Sequence, residues 1–184
     1  MKTLQECDFV TAANLLSCEV AAIKAVASVE SAGGGGFLPN GKPKILFEGH
    51  VFYRLTNGRF GVSNVSYPKW IEDYYNQDQY TRLDKATALD RSAALQSASW
   101  GAFQIMGENW KALGYVSLQE FINAMFASET EHLMAFVRFV KSIKLQGSLQ
   151  RKDWAAFALG YNGKGYKVNK YDEKMAAAYR KFKQ

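Results

Sequence analysis

Hydrophobic positions recur with a helical period over most of this chain. Phe9, Ala12, Ala13 and Leu16 fall at i, i+3, i+4 and i+7, which predicts an amphipathic helix over roughly 4–16, opened by the capping box Thr3-x-x-Glu6. Ser17 can cap a second helix over roughly 18–31, on which Ile23, Val26, Ala27 and Glu30 share one face. That face points at the core, so Glu30 is aimed inward from the last turn. The glycines Gly33 to Gly36 then stop the helix and let the backbone fold closely around the carboxyl.

From residue 37 the period changes. Pro39-Asn40-Gly41 is a turn, and Lys44 to Phe47 and Val51 to Leu55 read as short strands, so a small β-rich lobe is expected over about 37–62. Glu48 lies here with His50 beside it, and alternation alone does not decide which way Glu48 faces. Residues 63–80 have no firm period and hold Tyr67, Trp70, Tyr74, Tyr75 and Tyr80 among amides and acids. Such rings either cover the apolar face of a sugar or pin a long loop to the body. A third helix is expected from Arg82 to Gln96, then a buried helical turn at Phe103, Ile105 and Met106 enclosing the amide of Gln104, which needs partners.

Ser117-x-x-Glu120 and Ser128-x-x-Glu131 are two more capping boxes, the second opening a long helix to about Leu145 that Gly147 ends. Asp153 to Leu159 is a tight apolar helix running into Tyr161-Asn162-Gly163. A last helix carries Tyr171, Met175, Ala178 and Phe182 as its packed stripe. The sum is a predominantly helical α+β chain, and 184 residues suit one domain.

Composition adds three points. The apolar runs fall short of a membrane span and MKTLQECDFV has no signal-peptide pattern, so folding in a cytoplasm is expected, with release left to another agent. Cys7 and Cys18 open successive helices whose starts lie about 14 Å apart at ~1.5 Å per residue, so both are expected as reduced core residues. With only His50 and His132 as histidines, no metal site is expected. Charge is uneven: residues 1–137 carry 11 basic and 14 acidic side chains, a balance of −3, whereas residues 138–184 carry 12 and 3, a balance of +9. The basic third suits an anionic partner, although it equally suits a solubilising helix face. It has no recognisable nucleic-acid reading motif, so nucleic acid is not the expected partner.

The candidate chemistry starts at Glu30. A carboxyl at a helix C-terminus meets the negative end of the dipole, and partial burial disfavours its charge further, so both effects raise its pKa. A carboxylic acid still protonated near neutrality is what protonation of a leaving oxygen requires. The plainer reading is a solvated glutamate before a loop.

Three fragments in order then form a set: Glu30-Ser31 closing a helix, WGAFQIMG at 100–107, and LGYNGKGYKVNKY at 159–171. The set resembles the lysozyme-like superfamily in its lytic-transglycosylase and goose-type branch, whose motifs read Glu-Ser, Gly-Leu-Met-Gln-Ile-Met and Ala-Tyr-Asn-Gly-Gly. The wider text, VESAGGGGFLPNGKPKILFEGHVFYRLTNGRF with ALDRSAALQSASWGAFQIMG, is similar to phage N-acetylmuramidases over about residues 3–182. The resemblance implies a lysozyme-like fold with a small β-hairpin lobe. It also implies cleavage of the β-1,4 bond between N-acetylmuramic acid and N-acetylglucosamine in peptidoglycan glycan strands, with no metal or cofactor. A lytic transglycosylase forming 1,6-anhydro ends, and a non-catalytic peptidoglycan-binding protein, are the alternatives.

Carried over by position, Glu30 corresponds to the general acid, Ser31 follows it, and Gln104 with the Trp100-Gly101 turn corresponds to the cleft wall. Tyr161 and Asn162 match the Tyr-Asn pair, the tyrosine hydroxyl approaching the acid, and Trp70 is expected to line the groove. A hydrolase needs a second carboxylate, for which Glu48 is the choice and Asp90 and Glu108 the other candidates. Glu48 paired with Lys42 or Arg54 would be merely structural. The resemblance further implies an endolysin, a monomer held in the host cytoplasm until the membrane is opened. It then reaches the periplasm and wall, where the basic third can hold it on an anionic envelope surface.

Overall fold

The computed structural model describes residues 3–31 and 34–184. Its helices in chain order are α1 (Glu6–Leu16), α2 (Val20–Glu30), α3 (Gly49–Leu55), α4 (Gln79–Leu89) and α5 (Arg91–Gln96), then α6 (Leu118–Ala127), α7 (Glu129–Ser142), α8 (Gln146–Arg151), α9 (Trp154–Asn162) and α10 (Tyr171–Phe182). Among the described residues, three short strands, β1 (Ile45–Phe47), β2 (Ala98–Trp100) and β3 (Ile105–Met106), form one antiparallel sheet in the order β1-β2-β3. The fold is thus predominantly helical α+β, as the sequence implies. No described helix is by itself long and apolar enough to cross a membrane.

The chain divides into two compact units, residues 1–36 with 128–184, and residues 37–127. In the first, α1 and α2 meet at a bend of 110° that turns at Ser17, which is left-handed at φ 52°. Helix α2 packs on α1 and α10, and α9 packs on α8 and α10. Ile23, Val26, Leu133, Phe136, Val140, Phe157 and Met175 are fully buried. Glu19, at the N-cap of α2, accepts from Lys152 (2.8 Å) and the Tyr179 hydroxyl (2.7 Å), which ties the start of α2 to the helices behind it. Capping differs from expectation at α1, where the Gln5 N–H donates to Asp8 (2.8 Å) and the helix starts two residues after the predicted point. Cys7 is exposed rather than in the core, and both cysteines are free. Gly147 does not end a helix but lies inside α8. Of the glycines after α2, Gly33 lies outside the described residues, while Gly35 adopts φ +64°.

In the second unit the sheet is built differently from the expectation. Val51 to Leu55 is helical, not a strand: Gly49, Phe52 and Thr56 are buried at i, i+3 and i+7, a helical period hidden in a β-prone stretch. Phe103, Ile105 and Met106 do not make a helical turn. Gly101 and Gln104 both take positive φ (74° and 48°), which turns β2 back onto β3 as a hairpin pairing Trp100 with Ile105. The expected helix 82–96 is two helices, because Asp90 leaves helical geometry (φ −155°) and caps α5 by accepting the Ala93 N–H at 2.9 Å.

Candidate active site

Glu30 ends α2 on the face that buries Ile23, Val26 and Ala27, so the helix itself delivers the carboxyl to a half-buried position. The Asn162 side-chain N–H donates to both its oxygens, at 3.2 and 3.3 Å. Loss of water around the carboxyl pushes it from its ordinary 4.5 up to about 7, and the Asn162 hydrogen bond opposes that rise. Asn162 is placed by α9, which Asp153 starts by accepting the Ala156 N–H at 3.0 Å and which runs through Asn162 rather than ending before it. The other amide atom of Asn162, Oδ1, is buried and has no hydrogen-bond partner among the described residues. Tyr161 stacks on Phe157 at 5.5 Å, with its edges against Phe136 and Phe139. Burial and the charge of Glu30 hold its phenol well above the usual range, and both causes also raise Tyr171 at the start of α10. The Ser31 hydroxyl donates to Ala27 O (2.7 Å), closing the last turn of α2.

In the second unit Glu48 occupies the N-cap position of α3 just after β1, with its side chain free of any capping hydrogen bond. Its backbone N–H donates to Ser97 O (2.8 Å), and the Tyr75 hydroxyl donates to its two carboxylate oxygens at 3.0 and 3.2 Å. His50 Nδ1 lies 3.3 Å from the same carboxylate without the alignment of a hydrogen bond. Neither cation that sequence reasoning offered as a structural partner takes it: Arg54 pairs with Glu108 (2.6 Å), and Lys42 sits over the Tyr80 ring (4.5 Å). Asp90 pairs with Arg59 (3.0 Å). Of the three candidate second carboxylates, Glu48 alone has no lysine or arginine partner among the described residues.

The aromatic loop divides between its two readings. Tyr67 is buried and Tyr80 donates to Pro43 O (2.8 Å), so these rings pin the loop. Trp70 is 54 % exposed, lies 5.4 Å from the Tyr75 ring and donates its indole N–H to the Tyr75 hydroxyl. Trp100 corrects an expectation: it is 1 % exposed and its indole N–H is spent on Leu95 O (3.1 Å), so it is a core residue with no surface for a groove. Gln104 is exposed rather than buried. Its amide is held by Ser99 Oγ (2.8 Å) and Gly101 O (2.9 Å), and it borders a cavity of about 450 Å³ with Leu46, Gln77 and Tyr80. Sequence reasoning missed Tyr75 as the partner of Glu48 and Tyr171 as a neighbour of Glu30. Tyr75 was visible only as one tyrosine in an aromatic-rich stretch, and Tyr171 only as a packed position on the last helix.

A family model for N-acetylmuramidases matches residues 19–183. The chain belongs to the N-acetylmuramidase family. This muramidase is also similar to the crystal structure of a Burkholderia AP3 phage endolysin, with 42% identity, a TM-score of 0.92, and coverage of 98% of this chain and 71% of that one. A comparison with curated proteins finds no match. The muramidase is a lysozyme-type glycoside hydrolase whose substrate is peptidoglycan.

Proposed function

We propose that Glu30 is the general acid that protonates the glycosidic oxygen between N-acetylmuramic acid and N-acetylglucosamine, and that Glu48 is the second carboxylate. The observation that carries this reading is the Glu30 carboxyl itself, half-buried and without a cationic partner among the described residues, and raised to about 7. At neutral pH a large fraction of it still carries the proton that the leaving oxygen needs, and after donation the Asn162 N–H supports the carboxylate. Asn162 Oδ1, a buried acceptor, suits a sugar N–H or O–H. As the bond breaks, positive charge develops at the anomeric carbon. Glu48, held by Tyr75 and unneutralised by lysine or arginine, either activates the water that adds there or stabilises that charge. Tyr161, Ser31 and Gln104 support substrate and acid from their own elements, and the exposed face of Trp70 is a sugar platform.

The family match runs through both compact units, which supports reading residues 1–184 as one muramidase domain. The solved neighbour is a phage endolysin, which supports reading this chain as one; the role assigned to it is that of a monomer made in an infected host's cytoplasm that reaches the wall once the membrane is permeabilised. The basic C-terminal third holds it to the anionic envelope.

The test is Glu30→Gln. Lysis of purified walls is lost while wall binding is retained, and mass spectrometry of wild-type digests finds reducing muramyl ends. A variant that lyses walls at the wild-type rate removes Glu30 from the chemistry.

A further inference from the structure

Arg82 is 2 % exposed, and among the described residues no carboxylate lies within ion-pair distance of it. A buried guanidinium without a counter-charge is costly unless every N–H is satisfied. Here every N–H is. Nη1 donates to Phe47 O (2.9 Å) and Gln79 Oε1 (3.1 Å), with Tyr74 O at 3.3 Å. Nη2 donates to the Tyr67 hydroxyl (2.9 Å) and Asn64 O (3.2 Å), and Nε also reaches Asn64 O (3.3 Å). The rings of Tyr74 and Phe47 lie 5.0 and 5.2 Å from the guanidinium carbon.

These acceptors converge on Glu48. Phe47 O is the carbonyl just before it. The N–H just after it, that of Gly49, donates to the same Tyr67 hydroxyl that Arg82 holds (3.2 Å). Gln79, oriented by Arg82, also accepts the Phe47 N–H (3.1 Å) and donates to Tyr74 O (2.9 Å) and Tyr75 O (3.2 Å). The backbone on both sides of Glu48, and the backbone that presents the Tyr75 hydroxyl to its carboxylate, are therefore fixed from one point. Gly49 leaves no slack: a Cβ there would lie 2.2 Å from the Tyr67 ring.

We propose that Arg82 is a positioning residue for the reaction, acting through the Tyr67 hydroxyl and Gln79 to hold Glu48 and Tyr75 in register with each other. The proposal rests on the assignment of Glu48 as the second carboxylate. It requires the planar fork and not only the charge, because the acceptors diverge across the guanidinium plane and a lysine ammonium cannot meet them together.

The experiment is a mutant cycle in turnover of purified peptidoglycan by the full chain, with kcat and KM measured for Arg82→Lys, Glu48→Gln and the double variant. Displacing a catalytic group by about 1 Å costs roughly 100-fold. Arg82→Lys is therefore expected to lower kcat about 100-fold, with KM within about twofold of wild type. In the Glu48→Gln background the same change is expected to cost less than about twofold, because the group it positions is gone. Should Arg82→Lys fail to fold by circular dichroism, Tyr67→Phe takes its place in the cycle, with an expected loss of about 10-fold in kcat. A full loss on top of Glu48→Gln overturns the positioning role and leaves Glu48 in place. Wild-type kcat in Glu48→Gln overturns the Glu48 assignment, and the proposal with it. Wild-type kcat in Arg82→Lys shows that charge suffices and overturns the proposal alone.

Discussion

The surroundings of Glu30 and Glu48 differ in kind. Glu30 is positioned by packing: it ends a helix that buries Ile23, Val26 and Ala27, and its one polar partner among the described residues is an amide N–H. Glu48 is positioned by hydrogen bonds at a strand-to-helix junction, with a phenol on its carboxylate and a peptide N–H anchored on Ser97. Apolar burial with a single donor leaves a carboxylate short of solvation, which pushes the Glu30 carboxyl up to about 7 and suits the acid role proposed for it. Glu48 instead accepts from one hydroxyl, that of Tyr75, at both carboxylate oxygens. On the proposed assignment, the two carboxyls take two roles from their two environments.

The sharpest way to break this contrast is at Glu30. Glu30→Gln is expected to lower kcat by roughly 10⁴-fold, the upper end of general acid catalysis. It also changes stability with a definite sign. The folded pKa of about 7 lies above the ordinary 4.5, so between those values the folded chain keeps a proton that the unfolded chain has released. Stability falls as pH rises through that window, and the full cost, on the order of 3 kcal/mol, is present above pH 7. Glu30→Gln is therefore expected to melt higher than wild type at pH 8 and at nearly the same temperature at pH 4. Equal melting at pH 8 would mean that the carboxylate is well solvated. Glu48→Gln is the counterpart, with an expected kcat loss of roughly 100- to 1000-fold.

Asn162→Ala tests the tuning of the acid rather than its presence. The Asn162 hydrogen bond lowers the Glu30 pKa, so removing it raises that pKa above about 7. The alkaline limb of the kcat/KM profile moves to higher pH while the peak rate drops about 10-fold. A limb that moves down would show that the lost side chain had been excluding water.

How far this was legible in the sequence follows the same contrast. The position of Glu30 is written in a local period, because one helix face carries Ile23, Val26 and Ala27 with it, and packing on that face is what holds it. Tyr161 and Asn162 were readable as a motif, although their place on the last turn of α9 was not. The surroundings of Glu48 were not readable. They depend on Tyr75, Gln79 and Arg82, which lie 27 to 34 residues away and carry no period that links them to it. The same gap explains the helix read as a strand at 51–55 and the hairpin read as a helical turn at 103–106. Both are short apolar stretches whose conformation is chosen by non-local partners. Trp100 carried a misleading signal: a large ring beside glycine suits a cleft wall and a core equally, and burial decided.

Cations divide along similar lines, and they give the smallest effect. Arg82 is buried, and Arg54 and Arg59 are paired with Glu108 and Asp90, so their charge is already matched or enclosed. Lys164, Lys167, Arg180 and Lys181 are exposed and have no carboxylate partner among the described residues. Only such unmatched charge attracts an anionic surface, and only over a screening length that shrinks from about 10 Å at 0.1 M salt to about 3 Å at 1 M. Wall binding measured by sedimentation is therefore expected to weaken several-fold over that range. Lys164→Glu with Lys167→Glu should flatten the salt dependence, whereas Arg54→Gln with Arg59→Gln should leave it unchanged. If binding is the same at both salt concentrations, the basic third is a solubilising face and the enzyme is held to the wall by its substrate groove alone.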